Sequence, residues 1–314
     1  MLPVLTVTLN PALDVTTSID RLLPQQKLRC GAPRLDAGGG GVNVSRAIRE
    51  LGGDSRAFVA VGGHTGAQLR AILDRTRMDI EYWSLIEETR LSFTVMEDIT
   101  MEHYRFVLPG PVISPAEADS ILNRISSLIE RYPGFVVASG SLPPGVPDDF
   151  YGRLARDARE RRTKLIVDTH GAALQAAAAE RPYLIRLNHL EAQELLGGSV
   201  DLAAHLLGRQ LVDGGLCEAA IVTIGAGGAI VTSADQQIEI RPPHVDVRSV
   251  VGAGDSFVAA LTYGLANGWT LEEAAGYGVA AAAAAVTTEA TQLCQRETVD
   301  ALFAQIGGQL RSVA

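Results

Sequence analysis

Four consecutive residues, Gly252-Ala253-Gly254-Asp255, bear most directly on the chemistry this chain could perform. They lie between two valines and an apolar run, in the stretch "VVGAGDSFVAALTYGL". The first turn of a helix leaves its amides without intrahelical partners, and the helix dipole favours negative charge there. Glycines at such a start let a ligand approach the main chain closely. An aspartate among these amides could take a proton from a hydroxyl while the amides hold a transferring phosphoryl group. It could equally be a helix cap, a role in which aspartate is favoured.

A second glycine cluster, "DAGGGGVNVSRA" (36–47), also precedes a helical pattern. It fails as a dinucleotide fingerprint, because Asn43 stands where the third glycine belongs. That disfavours a dinucleotide oxidoreductase, although the exposed amides still suit an anion or a sugar. Five strand-like runs end in abrupt polar or glycine-rich turns: "TLNPALD", "SGSLPPG", "DTHG", "RLNHLE" and "TIGAGG". In an open α/β sheet, ligands bind outside the carboxyl ends of the strands.

The elements that must position these residues follow from the pattern. Short β-rich runs ("VLTVTL", "RAFVAVGG", "GFVVASGS", "KLIVDTHG", "YLIRLN", "EAAIVTIG") alternate with helical stretches such as "VNVSRAIREL" and "AEADSILNRISSLIERY". Continuous apolar strands between amphipathic helices predict an α/β fold with a mostly parallel sheet covered on both faces. No linker or internal repeat divides the chain, so residues 1–314 read as one domain. Segments 13–36 and 89–107 break the alternation. They show strand-like alternation with turn residues and no helix between, and predict antiparallel ribbons forming a small β lid.

Composition narrows the function classes. A net charge of −9 with no basic cluster argues against nucleic acid, and no apolar run is long enough to cross a membrane. Three widely spaced cysteines, Cys30, Cys217 and Cys294, fit a reducing cytoplasm better than a disulfide framework or a zinc site. Only Lys27 and Lys164 are lysines, and neither stands where a P-loop or a protein kinase needs one. Nucleotide phosphates would have to be held another way.

Over nearly its whole length the chain resembles the ribokinase-like sugar kinases, also called the phosphofructokinase B family. "GGGGVNVSRAIRELGG", "NHLE", "TIGAGGA" and "GAGDSF" carry the resemblance in that order. "TLNPALD", "TRLSFTV", "YRFVLPGP" and "SGSLPPG" point to the branch that phosphorylates ketohexose phosphates, and "KLRC" to its ribokinase-type 6-phosphofructokinases.

The resemblance implies an enzyme that uses ATP and Mg²⁺ to convert fructose 6-phosphate to fructose 1,6-bisphosphate. Fructose 1-phosphate and tagatose 6-phosphate stay open as substrates, and so does a non-catalytic sugar-phosphate sensor. By the same resemblance Asp255 is the base, and Gly252, Ala253 and Gly254 are the anion hole. Asp14, Gly39, Gly40 and Asn43 bind the sugar. Arg90, Arg105 and Ser139 meet its phosphate, with Lys27 nearby from the lid. Asn188, Thr223, Gly225, Gly228, Val279 and Ala283 hold the nucleotide, and Glu191 organises Mg²⁺ through water. A K⁺ site belongs to the loop "TTEATQLC", where Ala290 and Gln292 depart from the usual glycine and arginine and weigh against it.

The lid also bears on assembly. Leu13, Val15, Thr17 and Ile19 share one face at period two, and Phe93, Val95, Phe106 and Leu108 add apolar positions. A second copy packing on that face would give a homodimer, the pairing the resemblance also implies.

Overall fold

A computed structural model describes residues 1–198, 202–289 and 292–306, together with the backbone of 311–312. The chain opens with β1 (Val4–Thr8), β2 (Ala12–Ile19), β3 (Arg34–Gly38) and α1 (Gly40–Glu50). Then come β4 (Arg56–Gly62), α2 (Gly63–Leu73), β5 (Asp79–Leu85), β6 (Arg90–Glu97) and β7 (His103–Val107). Strict alternation begins with α3 (Pro115–Arg131), β8 (Phe135–Ser139), α4 (Phe150–Glu160), β9 (Lys164–Asp168), α5 (Gly171–Ala179) and β10 (Leu184–Asn188). After α6 (His189–Leu195) and α7 (Ala204–Asp213) come β11 (Ala219–Thr223), β12 (Ala229–Ser233) and β13 (Gln237–Ile240). The chain closes with α8 (Ala253–Ala266), α9 (Leu271–Val286), α10 (Arg296–Ile306) and β14 (Arg311–Ser312).

The large sheet runs β14-β13-β12-β11-β10-β9-β8-β1-β4-β5. From β11 to β5 every pairing is parallel, while β12, β13 and β14 add antiparallel partners at one edge. The central strands β1, β4 and β8 are almost continuously buried because helices cover both faces. Side chains of α3, α4, α5 and α7 fill one layer, and those of α1, α8, α9 and α10 fill the other. In β4 the alternation is explicit: Phe58 and Ala60 join the first layer, while Ala57, Val59 and Val61 meet Leu69 and Leu73 of α2.

From β1 the chain winds outward to β4 and β5, then crosses back to β8 and proceeds the other way. The crevice at such a reversal is where an α/β sheet accepts ligands. The small sheet runs β3-β2-β6-β7. Its two hairpins are antiparallel, as their sequences predict, and the β2–β6 pairing that joins them is parallel. Cross-strand partners share a face. One face carries Asp14, Asp36, Ser92, Thr94 and Arg105; the other carries the row Leu35–Val15–Phe93–Phe106.

Candidate active site

The amino end of α8 separates two clefts. The first, about 200 Å³, is lined by Asp14, Gly39, Gly40, Asn43, Arg90, Arg105, Ser139, Asp168, Gly252 and Asp255. The second, about 530 Å³, is lined by Arg186, Thr223, Gly225, Gly228, Ala253, Gly254, Val279 and Ala283, with further apolar side chains. Within the GAGD tetrad, Gly252 and Asp255 face one cleft, and Ala253 and Gly254 face the other.

Two local features build this arrangement. Gly252 caps α8 with φ 79°, a left-handed conformation that glycine adopts without strain, and no side chain caps the helix. Helices α3, α6 and α9, by contrast, are capped by Ser114, Asn188 and Thr270. Asp255 sits within the first turn of α8 and is not its cap. At the start of α1, Gly40 lies so close to β8 that a Cβ there would stand 2.2 Å from Ser139 Oγ and 2.7 Å from the Ser139 carbonyl carbon. This contact brings Gly40 and Ser139 into one wall of the first cleft.

Asn43 donates from Nδ2 to Asp255 Oδ2 at 2.9 Å. Burial and the nearby Asp168 carboxylate push the Asp255 carboxyl up to about 6, against the Asn43 hydrogen bond and the positive fields of Arg186 and Arg105. Asp14 is also raised, chiefly by burial, with Arg105, Ser92 and Arg90 opposing. Its Oδ1 is buried without a hydrogen-bond partner, which is uncommon for a buried polar atom. Arg90 donates through Nε and Nη2 to the Asn10 carbonyl at 3.2 and 3.1 Å. Lys27 is exposed on the connection between β2 and β3, outside the cleft lining.

Arg186 lies at the wall of the second cleft. Its Nη1 pairs with Asp168 at 3.2 Å, its Nη2 donates to Thr223 Oγ1 at 3.0 Å, and its buried Nε has no partner. The motifs gave it no role. The available signal was a lone charge inside the apolar strand "YLIRLN". Asn188 and Glu191 form a capping box on α6, with Asn188 Oδ1 accepting from the Glu191 amide and Glu191 Oε2 accepting from the Asn188 amide. Asn188 shares a shallow depression with Thr223 and Gly225, beside the second cleft.

Residues 7–298 match the model of the pfkB family of carbohydrate kinases. The chain belongs to that family. This pfkB-family kinase is 40% identical over 302 residues to the ATP-dependent 6-phosphofructokinase isozyme 2 of Mycobacterium tuberculosis, spanning 96% of this chain and 88% of that one. It is 32% identical over 289 residues to the 1-phosphofructokinase of Xanthomonas campestris pv. campestris, spanning 87% and 88%. Solved structures of phosphofructokinase-2 from Escherichia coli match 98% of this chain and 100% of theirs at 33% identity. Their TM-scores are 0.92 for a potassium complex, 0.90 for a fructose-6-phosphate complex and 0.90 for a tetrameric inhibited form. The kinase is thus a phosphotransferase with the ribokinase-like α/β fold its sequence predicts.

The second cleft suits a nucleotide. Its apolar wall, with Val279 and Ala283, would take a base, and Arg186 brings a positive charge to the same wall. Among the described residues no three His, Cys, Asp or Glu side chains gather as a metal cage. Mg²⁺ usually keeps several waters and uses one or two carboxylates with substrate phosphates, so a lone Glu191 remains compatible with it. Of the expected cation loop, Ala290 lies outside the described residues, and the Gln292 carbonyl accepts from Thr288 Oγ1 at 2.9 Å.

Proposed function

We propose that this kinase transfers the γ-phosphoryl group of ATP to the C1 hydroxyl of fructose 6-phosphate. The observation that carries the reading is the amino end of α8, which no side chain caps and which opens onto both clefts with Asp255 facing the first. In this reading Asp14, Gly39, Gly40 and Asn43 hold the sugar, and Arg90, Arg105 and Ser139 receive its existing phosphate. Guanidinium forks bind phosphate bidentately, which suits two arginines to that task. ATP lies along Thr223, Gly225, Gly228, Val279 and Ala283, with Asn188 at its edge. Asp255 accepts the hydroxyl proton while the amides of Gly252, Ala253 and Gly254 stabilise the transferring group. Mg²⁺ near Glu191 would neutralise phosphate charge, and positioning supplies most of the remaining acceleration. Lys27 would reach a site only from a mobile or partner lid.

A fructose 1-phosphate reading is favoured by the likeness to a 1-phosphofructokinase. The bisphosphate product is nearly symmetric end to end, so the same arginines could hold either phosphate. A coupled ADP-release assay across fructose 6-phosphate, fructose 1-phosphate, tagatose 6-phosphate and fructose decides between them. Highest kcat/KM with fructose 6-phosphate is expected, and preference for free fructose would overturn the phosphosugar reading. Asp255→Asn should lower kcat by roughly 10²–10⁴-fold with ATP binding retained. Near-normal turnover would remove Asp255 from the role of base.

We also read residues 1–314 as one domain whose lid comes from 13–36 and 89–107, and the working form as a homodimer joined through the apolar lid face. Three free cysteines and the lack of a membrane-length apolar helix among the described residues support a cytoplasmic location. A K⁺ site in the 287–294 loop is supported only by the potassium complex of the Escherichia coli relative.

A further inference from the structure

Asn43 presents two chemically different atoms, and two charged neighbours decide which way they point. Its Nδ2 donates to Asp255 Oδ2 at 2.9 Å, while its Oδ1 accepts from Arg46 Nη1 at 3.3 Å. The same Arg46 nitrogen donates to the Ala37 carbonyl at 2.8 Å, which ties it to the end of β3. Arg46 and Asn43 stand three residues apart on α1, the spacing that makes helical side chains neighbours. A guanidinium has donors and no acceptor, so the amide atom turned toward Arg46 must be oxygen. The NH₂ group is thereby committed to Asp255. Without Arg46 the amide could turn over and accept a hydrogen bond from a protonated Asp255.

We propose that Arg46 is a positioning residue for phosphoryl transfer: it locks the Asn43 amide with its NH₂ toward Asp255, which fixes the carboxylate beside the amino end of α8. The proposal rests on the reading of Asp255 as the base. Its effect is to favour the ionised carboxylate, because a hydrogen bond donated to the charged form stabilises that form. The bond opposes the burial and Asp168 charge that push the same carboxyl up to about 6. Arg186 and Arg105 also face Asp255 and act in the same sense as Asn43. Around Arg46 itself, burial disfavours its charge and Arg34 adds to this, while Asp36, Asp14 and Glu50 restore it. Arginine therefore stays charged across the working pH range.

The test compares pH profiles of kcat for wild type, Arg46→Met, Arg46→Lys, Asn43→Ala and the Asn43→Ala/Arg46→Met double variant, with fructose 6-phosphate and ATP. Loss of the lock should move the acid limb of Arg46→Met upward by about one pH unit, the scale of one hydrogen bond to a charged group. Turnover at pH 6 then falls several-fold while KM for ATP is unchanged. Arg46→Lys keeps a positive charge beside Asp36 and Asp14, so it preserves the fold and should show a smaller shift in the same direction. Asn43→Ala should shift the limb alike, and adding Arg46→Met to it should add nothing. An unmoved limb in both Arg46 variants, or additive shifts in the double variant, would overturn the proposal. Asp255→Asn separates the two readings. If it is inactive and the limb is unmoved, only the role of Arg46 fails; if it keeps near-normal turnover, the base assignment fails and takes this proposal with it.

Discussion

The burial that would suit Asp255 to its proposed role as base is a cost to the fold. The Asp255 carboxyl is raised from an ordinary 3.8 to about 6 by burial and by Asp168. A raised acid favours the folded state most when protonated, and that contribution is lost as pH rises through the folded value. Asp255→Asn should therefore melt higher than wild type at pH 8, by up to about 3 kcal/mol for two pKa units. The gap should close as pH falls from 6 toward 4, and thermal melts across that range check it. A variant less stable than wild type at pH 8 would contradict the sign. The arginines differ in a similarly testable way. Arg105 is exposed on β7, so Arg105→Ala should raise KM for fructose 6-phosphate by about 10–100-fold, the scale of one charge-assisted contact, without lowering Tm. Arg90 also braces the Asn10 carbonyl, so Arg90→Ala should lose both affinity and stability. The placement of the GAGD tetrad at a helix start was legible from the motif alone, because a helix start is written in local sequence. Arg186 and Arg46 were not, because their meaning lies in contacts with Asp168, Thr223 and Asn43 that only folding creates.

At the scale of elements, α1 and α8 converge on one carboxylate although Asn43 and Asp255 lie 212 residues apart. The approach depends on Gly40. Gly40→Ala would force α1 away from the main chain at Ser139 and Gly140, an overpacking cost of roughly 1–3 kcal/mol. The expected result is a lower denaturation midpoint together with weakened sugar-phosphate binding; an unchanged midpoint would show that α1 shifts freely. The parallel strands were readable because burial on both faces makes them continuously apolar, and the lid hairpins because they alternate. The parallel joint between β2 and β6 was not readable, since the strands are separated by the first βαβ winding of the large sheet and nothing local encodes their pairing. The N-x-x-E motif held a further ambiguity. Asn188 and Glu191 satisfy each other as a capping box, so their spacing serves helix initiation as well as any metal role.

For the whole molecule, the small sheet presents a partly exposed apolar face. Leu35 and Phe106 are 44% and 52% exposed, and Val15 and Phe93 complete the row between them. Ile19, which the alternation places on the same face, is already buried within one chain, so a charge there would test folding more than assembly. Phe106→Asp is the sharper probe. It should convert a dimer to a monomer in light scattering at micromolar concentration while leaving Tm nearly unchanged, and a persistent dimer would exclude this face. The alternation within β2 has a consequence for how such a chain can change in length. Asp14 turns to the cleft and Val15 to the outer face, one residue apart on the same strand. An insertion of one residue before Asp14 would exchange the two surfaces, exposing the carboxylate and burying the valine in the first cleft. Segments 20–33 and 98–102 lie between lid strands and carry no such parity, so length variation among related chains is expected to accumulate there and in even steps, if at all, within the strands.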